Sequence, residues 1–408
     1  MYYFKLIIYI FIFTLKFIFV ILPSVIFISK NKKQNIPQKA EKRNLIYISF
    51  IEWQGAYQRP QHLADNLSEK MNVFYISVNR IHHLIKRNHN ISSYDPIEKI
   101  KNNLTVISPA AFPFDSKFSF FRALNNIIIL YAIKKYISKE DRDNAVVMVN
   151  APYFNSAIDR LDYSILVYDI MDELTYGKLS LVNDEINLMK KADILTAGTN
   201  SVCENKTRIS GREIKFIPCG VDYEHFHAPV ENHPEKPDRI DDIEKPIVGF
   251  FGAINERIDF EIVNYLCDKV IANFLFIGPV YSSAGELPEY NNLFFIGSVD
   301  YQNLPRYLYY FDIAIVPYKL TEGIQYVNPV KVLEYMAGER TVISTAIPDV
   351  EKFFGDCVEI ANSKEEFGDL LNKLLVHKNI RKIKIGNEKA QSRSWSKMAD
   401  EFYSEIIK

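Results

Sequence analysis

Residues 318–345 read YKLTEGIQYVNPVKVLEYMAGERTVIST. Inside this stretch Asn328-Pro329 has the form of a helix start, because Asn suits an N-cap and Pro the first helical position. The spacing predicts a helix over 329–337 that stops at Gly338, a residue type favoured just past a helix end. The free N–H groups and the positive dipole end of such a start can hold a phosphate. Lys331 falls in the first turn, where a cation opposes the dipole and costs roughly a few tenths of a kcal/mol unless an anion is bound. Glu334 follows three residues later on the same face, where a carboxylate can accept hydrogen bonds from ribose hydroxyls. An ordinary capped helix with an exposed Lys–Glu pair fits the same spacing equally well.

Outward from this helix, apolar runs at 313–316 and 341–344 predict the strands that flank it. They belong to a series of predicted strands at 247–251, 274–277, 293–296, 313–316, 341–344 and 357–360. An earlier series lies at 45–50, 73–77, 104–107, 145–149, 165–168, 194–197 and 215–218, with helical patterns at 60–70, 118–138 and 181–191. Alternating β and α is the pattern of a parallel, doubly wound sheet. Between the two series stands APVENHPEKPDRIDDIEKP, 228–246, whose proline and charge predict a linker. The expected architecture is therefore α/β, with two Rossmann-like domains, 45–227 and 247–393, facing a cleft. Ligands of such sheets bind at the carboxyl ends of the strands. Neither first strand is followed by G-x-G-x-x-G, which disfavours a dinucleotide-binding dehydrogenase.

The ends of the chain differ in charge. Over 408 residues the formal net charge is −1. Residues 1–45 carry Lys5, Lys16, Lys30, Lys32, Lys33, Lys39, Lys42 and Arg43 against Glu41, or +7, which leaves −8 for the body. An acidic body argues against nucleic acid as a partner. Residues 6–28 are almost wholly apolar apart from Lys16 and Pro23, and as a helix would reach about 34 Å, enough for the hydrocarbon layer. Residues 1–30 are thus expected to form a hydrophobic helix that anchors the chain in membrane lipid; an interfacial helix lying in one leaflet is the alternative. The positive charges that follow predict residues 30–408 on the cytosolic side, at the cytoplasmic membrane. The four cysteines, Cys203, Cys219, Cys267 and Cys357, are scattered and form no zinc or disulfide pattern.

The run P-x-K-x-x-E-Y-M-A-G-x-x-x-V-I-S-T within 329–345 resembles the donor-binding signature of GT-B glycosyltransferases, in particular the family 4-like retaining enzymes. The resemblance extends over roughly 45–408. It takes in Lys215-Phe-Ile-Pro-Cys-Gly-Val-Asp222, like the strand and turn that close the first domain. It also takes in 394–408, like the terminal helix that crosses back to that domain. The resemblance implies a GT-B fold with a donor-binding second domain and an acceptor-side first domain. It implies transfer of a sugar, of hexosyl type, from a nucleotide sugar to a lipid-linked or polysaccharide acceptor. It implies retention of configuration and no metal or other cofactor. Glu334 would then bind the donor ribose, with Asn328 and Lys331 at the diphosphate. The signature's usual first glutamate lies eight positions earlier, where this chain has Tyr326; Glu322 either supplies that carboxylate across an insertion or the carboxylate is missing. A nucleotide-sugar epimerase of the same fold, or a non-catalytic scaffold in a glycan-assembly complex, also fits.

Three further candidates follow. In Gly252-Ala-Ile-Asn-Glu-Arg257-Ile-Asp259 the resemblance places Gly252 and a basic residue, here Arg257, against the diphosphate; pairing of Arg257 with Glu256 or Asp259 is the plain alternative. Trp53 to His62 resembles the opening of certain bacterial polysaccharide glycosyltransferases, so Arg59 and His62 are catalytic candidates that would bind diphosphate or acceptor hydroxyls from the opposite wall of the cleft; a structural hydrogen-bonding role for the histidine is the plain alternative. Tyr168-Asp-Ile-Met-Asp172-Glu173 ends a predicted strand, which makes Asp169 and Asp172 candidates for acceptor binding or acid/base work. Its D-x-x-D spacing is not a D-x-D metal motif. His82, His83 and His89, with Arg80, Lys86 and Arg87, read as a solvated basic loop.

Overall fold

The computed structural model describes residues 2–25, 43–55, 57–87, 94–174, 181–327 and 330–408. The chain forms two compact units. The first is Met1–Gly198, Cys203–Ile217 and Ala399–Lys408, and the second is Thr199–Val202 and Pro218–Met398. The terminal helix Trp395–Ile407 therefore begins in the second unit and ends in the first.

In the first unit eight strands form one sheet. From edge to edge they are Lys215–Phe216, Ile194–Ala197, Ile165–Ile170, Val146–Val149, Asn44–Ser49, Asn72–Ser77, Leu104–Ile107 and Ile97–Lys101. All pairs are parallel except the last. The interior strands are buried on both faces, as their continuous apolar runs require. The alternation of residues 45–218 predicts each parallel strand to within a few residues. It misses Ile97–Lys101, an edge strand of mostly exposed residues with no apolar run to betray it.

The second unit has a six-stranded parallel sheet in the order Leu293–Phe295, Asn273–Ile277, Ile247–Phe251, Ile313–Val316, Thr341–Thr345, Glu359–Ala361. Numbered along the chain this order is 3-2-1-4-5-6, that of a Rossmann sheet. The expected linker 228–246 is not one. Helix Tyr223–Asn232 runs through Pro229, and Ile240 and Ile243 are buried in the core of this unit. Two isoleucines among the charges suffice to fasten the segment.

The expected membrane-spanning helix over 1–30 is not supported either. Its described part is Tyr2–Lys16, a wider π-helical turn Phe17–Ile21, and Leu22–Val25; residues 26–30 lie outside the described residues. Among the described residues no helix is long and apolar enough to cross a membrane. Phe13, Phe17 and Ile21 pack against Ile81, Ile85, Phe112 and Ile128 of the first unit. A helix fastened along one side to the protein is not free to pass alone through a bilayer.

Candidate functional site

The second sheet reverses its winding between Ile247–Phe251 and Ile313–Val316, so a ligand crevice is expected beyond their carboxyl ends. Gly252 leaves the first of these strands at φ +135° and donates its N–H to the Ile277 carbonyl at 2.8 Å. That φ disfavours any side chain, and a Cβ there would also lie 2.9 Å from Cε of Lys331 and push the end of the lysine aside. Gly278 presses on the other side: a Cβ on it would fall 1.9 Å from the Gly252 oxygen. The loop that follows is tied to the second strand's end, since Ile258 bridges Tyr318 and Lys319 N–H donates to the Arg257 carbonyl at 2.8 Å.

Four sequence candidates meet on this unit. Lys331 opens helix Lys331–Ala337, donates to the Tyr318 hydroxyl at 2.7 Å, and lies 5.4 Å from the Phe250 ring centre and 5.2 Å from that of Tyr318. Among the described residues no carboxylate pairs with it. Glu334, one turn on, is half-buried, and its carboxyl makes no hydrogen bond or ion pair among the described residues. Burial pushes its pKa up to about 7, Lys331 opposes the rise and Asp222 adds to it. Arg257 is exposed and its guanidinium is likewise unpaired among the described residues. Among the described residues no ion pair forms with Glu256 or Asp259: Arg257 adds only a longer-range attraction to Glu256, and Asp259 caps the next helix through the Glu261 N–H at 3.0 Å. Among the described residues, Arg257 and the Glu334 carboxyl are thus left without a hydrogen bond or ion pair, and Lys331 has a tyrosine hydroxyl but no carboxylate, around backbone that glycine keeps open.

The remaining donor-side candidates are less informative. Glu322 sits exposed in a turn ahead of buried Ile324, and Tyr326 is half-buried. Asn328, with Pro329, lies outside the described residues.

In the first unit the structure brings Arg59 and Asp169 together, in a way that changes how they read. Arg59 clasps Asp169 with two bonds, Nε to Oδ2 at 2.9 Å and Nη2 to Oδ1 at 3.0 Å; Thr196 donates to Oδ1 at 2.8 Å. The side chains are 4% and 0% exposed, and the guanidinium faces Phe402 of the terminal helix. An ion pair this enclosed braces the first unit and offers substrate little. His62 is buried with its ring against Tyr57, while Asp172 is exposed after strand Ile165–Ile170. Glu173, the third acid, is taken up by Lys206, which it contacts at 2.5 Å and which also holds Glu185 at 2.8 Å.

Two features escaped sequence reasoning. Tyr318 holds Lys331 from a strand end thirteen residues earlier, and no spacing rule signals that contact. The supposed solvated basic loop is a helix, Ile81–Lys86, ordered around Glu52: His83 Nδ1 is 2.6 Å from Glu52 Oε1 and Arg87 is 3.0 Å from Oε2. Arg80 pairs with Asp115 at 2.7 Å. His89 lies outside the described residues. Among the described residues no group of His, Cys, Asp or Glu is placed to hold a metal ion.

Residues 245–377 match the family model described as Glycosyl transferases group 1. The match spans Gly252, Arg257, Lys331 and Glu334. The chain is also 29% identical over 178 residues to TuaH of Bacillus subtilis (strain 168), whose name assigns it to teichuronic acid biosynthesis as a glycosyltransferase. That match covers 41% of this chain and 44% of TuaH. Solved structures share the fold, which is GT-B-like. Sucrose-phosphate synthase from Thermosynechococcus elongatus has a TM-score of 0.69 at 14% identity, covering 90% of this chain and 99% of its own. Anabaena Alr3699/HepE in complex with UDP and glucose has a TM-score of 0.62 at 12% identity, covering 90% and 99%.

Proposed function

We propose that this chain is a glycosyltransferase that takes a sugar from a nucleotide-sugar donor held by the group 1 domain. The observation that carries the reading is that Lys331, Glu334 and Arg257, around the glycine-lined end of strand Ile247–Phe251, form no ion pair among the described residues. Lys331 and Arg257 are cations to which the departing nucleoside diphosphate can pass its developing charge. Glu334, once ionised, accepts hydrogen bonds from ribose hydroxyls, and its raised pKa means that a bound donor must compensate its burial. Gly252 allows the diphosphate to approach the backbone.

Hexosyl transfer with retention, to a lipid-linked or polysaccharide acceptor at the cytosolic face of a membrane, completes the proposal. TuaH's assignment to teichuronic acid biosynthesis supports a cell-envelope polysaccharide as the acceptor class. His62 and Asp172 remain the first unit's candidates for contact with it. No metal is assigned a role in this proposal, in which Lys331 and Arg257 would neutralise the diphosphate. The test is transfer by the purified chain from a panel of nucleotide sugars to envelope glycan primers, with Lys331→Ala and Glu334→Ala beside it. Transfer by both variants at the wild-type rate would overturn the assignment.

A further inference from the structure

The N-terminal helix presents an apolar face on the side away from the protein. Phe13, Phe17 and Ile21, spaced by four, face the first unit. Phe11, Ile12, Leu15 and Ile18 on the other sides are between 41% and 64% exposed. A helix that only had to dock on a soluble body would carry polar residues there.

A second element with exposed aromatic rings is joined to the buried side of this helix. Phe112 touches Phe13 and Phe17 edge-on at 5.0 and 5.5 Å, and Phe121 lies 6.0 Å from Phe112. Around Phe121 stand Phe114, Phe118 and Phe120, at 6.4, 6.2 and 5.6 Å, each at least half exposed. Phe114 holds φ +68°, a left-handed conformation costly for a bulky residue, while its ring stays in the open.

Charge selects the occupant. Lys16 and Lys117 are exposed among these apolar side chains, and Asp115, between Phe114 and Lys117 in the chain, is buried against Arg80. The sequence has no Asp or Glu before Glu41 and six lysines in that stretch. Two copies of such a face would repel, whereas anionic lipid attracts it.

We infer that the N-terminal helix and the Phe114–Phe118–Phe120 cluster form one docking surface, on which the first unit lies flat against an anionic bilayer. This deepens the localisation proposed above by naming the contact and its geometry, helix in the membrane plane and not across it. It does not depend on the donor chemistry.

The experiment is flotation of the full-length protein with vesicles of phosphatidylcholine, with and without phosphatidylglycerol. UDP binding is measured in parallel as a separate readout of the proposed function. Wild type is expected to float with phosphatidylglycerol vesicles, and the triple variant Phe114→Ser, Phe118→Ser, Phe120→Ser to lose at least tenfold in partition with UDP binding kept. Lys117→Glu is expected to lose several-fold on anionic vesicles alone. Should the triple variant misfold by circular dichroism, Phe120→Ser, at the most exposed ring, gives the same reading in smaller measure. Wild-type flotation by the folded variants would overturn the inference, since the helix alone would then hold the chain. So would a wild type that ignores vesicles and instead forms a dimer that these variants dissolve.

Discussion

Each unit carries a cation and a carboxylate near the carboxyl end of its sheet, and the two pairs are treated in opposite ways. In the first unit Arg59 and Asp169 are enclosed, joined by two hydrogen bonds and completed by Thr196. In the second, Lys331 and Glu334 lie one turn apart on a single helix without bonding each other; among the described residues the lysine has a tyrosine hydroxyl and the glutamate carboxyl no hydrogen bond. A charge that finds its partner inside the protein stabilises the fold. A charge held half-buried without one raises the energy of the empty site and is ready for a ligand.

The largest effect expected from this contrast is on the first pair. Asp169→Ala or Arg59→Ala leaves a buried charge uncompensated, at about 3–5 kcal/mol of stability. Denaturant unfolding measures it, and a loss well below 1 kcal/mol would erase the distinction drawn between the units. Next comes Lys331→Ala, expected to lower kcat/KM for transfer roughly 10²–10³-fold by removing a cation aimed at developing charge, with little change in Tm. If Tm falls steeply instead, Lys331 belongs with Arg59 as a structural cation.

Glu334→Gln sharpens the comparison through pH. The folded pKa of Glu334, about 7, lies above its ordinary 4.5. The stability its protonated form lends is therefore full below about 4.5 and is lost as the pH rises through about 7. Wild type and Gln variant should unfold alike at pH 4, and the variant should be the more stable at pH 8, by on the order of 2–3 kcal/mol. Melting curves that stay parallel across this range would show that burial does not strain the carboxylate. The smallest effect is expected of Arg257→Ala, about tenfold in kcat/KM and shrinking with added salt, because an exposed cation is screened. A loss that ignores ionic strength would mean that Arg257 closes into a drier site than its exposure indicates.

Much of the fold could be read from periodicity. Buried parallel strands must be continuously apolar, and the runs at 247–251, 313–316 and 341–344 mark them to within a residue. Edge strand Ile97–Lys101, with IEKIK, hides because nothing obliges an exposed edge to be apolar. The N-terminal segment misled for the converse reason: its composition satisfies a bilayer, but composition does not record that Phe13, Phe17 and Ile21 already have a protein surface to lie on. At the donor site the local residues were legible, because Lys331 and Glu334 share one helix and Gly252 follows one strand. The long-range partners were not. Nothing in the spacing of Arg59 and Asp169, 110 positions apart, tells a bracing pair from a catalytic one, and only burial decides it.

The most direct test of the central claim is calorimetric titration of UDP into wild type, Lys331→Ala and Glu334→Ala, with the Tm of each recorded. Binding by wild type that weakens at least tenfold in both variants, with Tm held within a few degrees, is the expected result. Undiminished UDP binding by two well-folded variants would contradict the assignment of the donor to this helix.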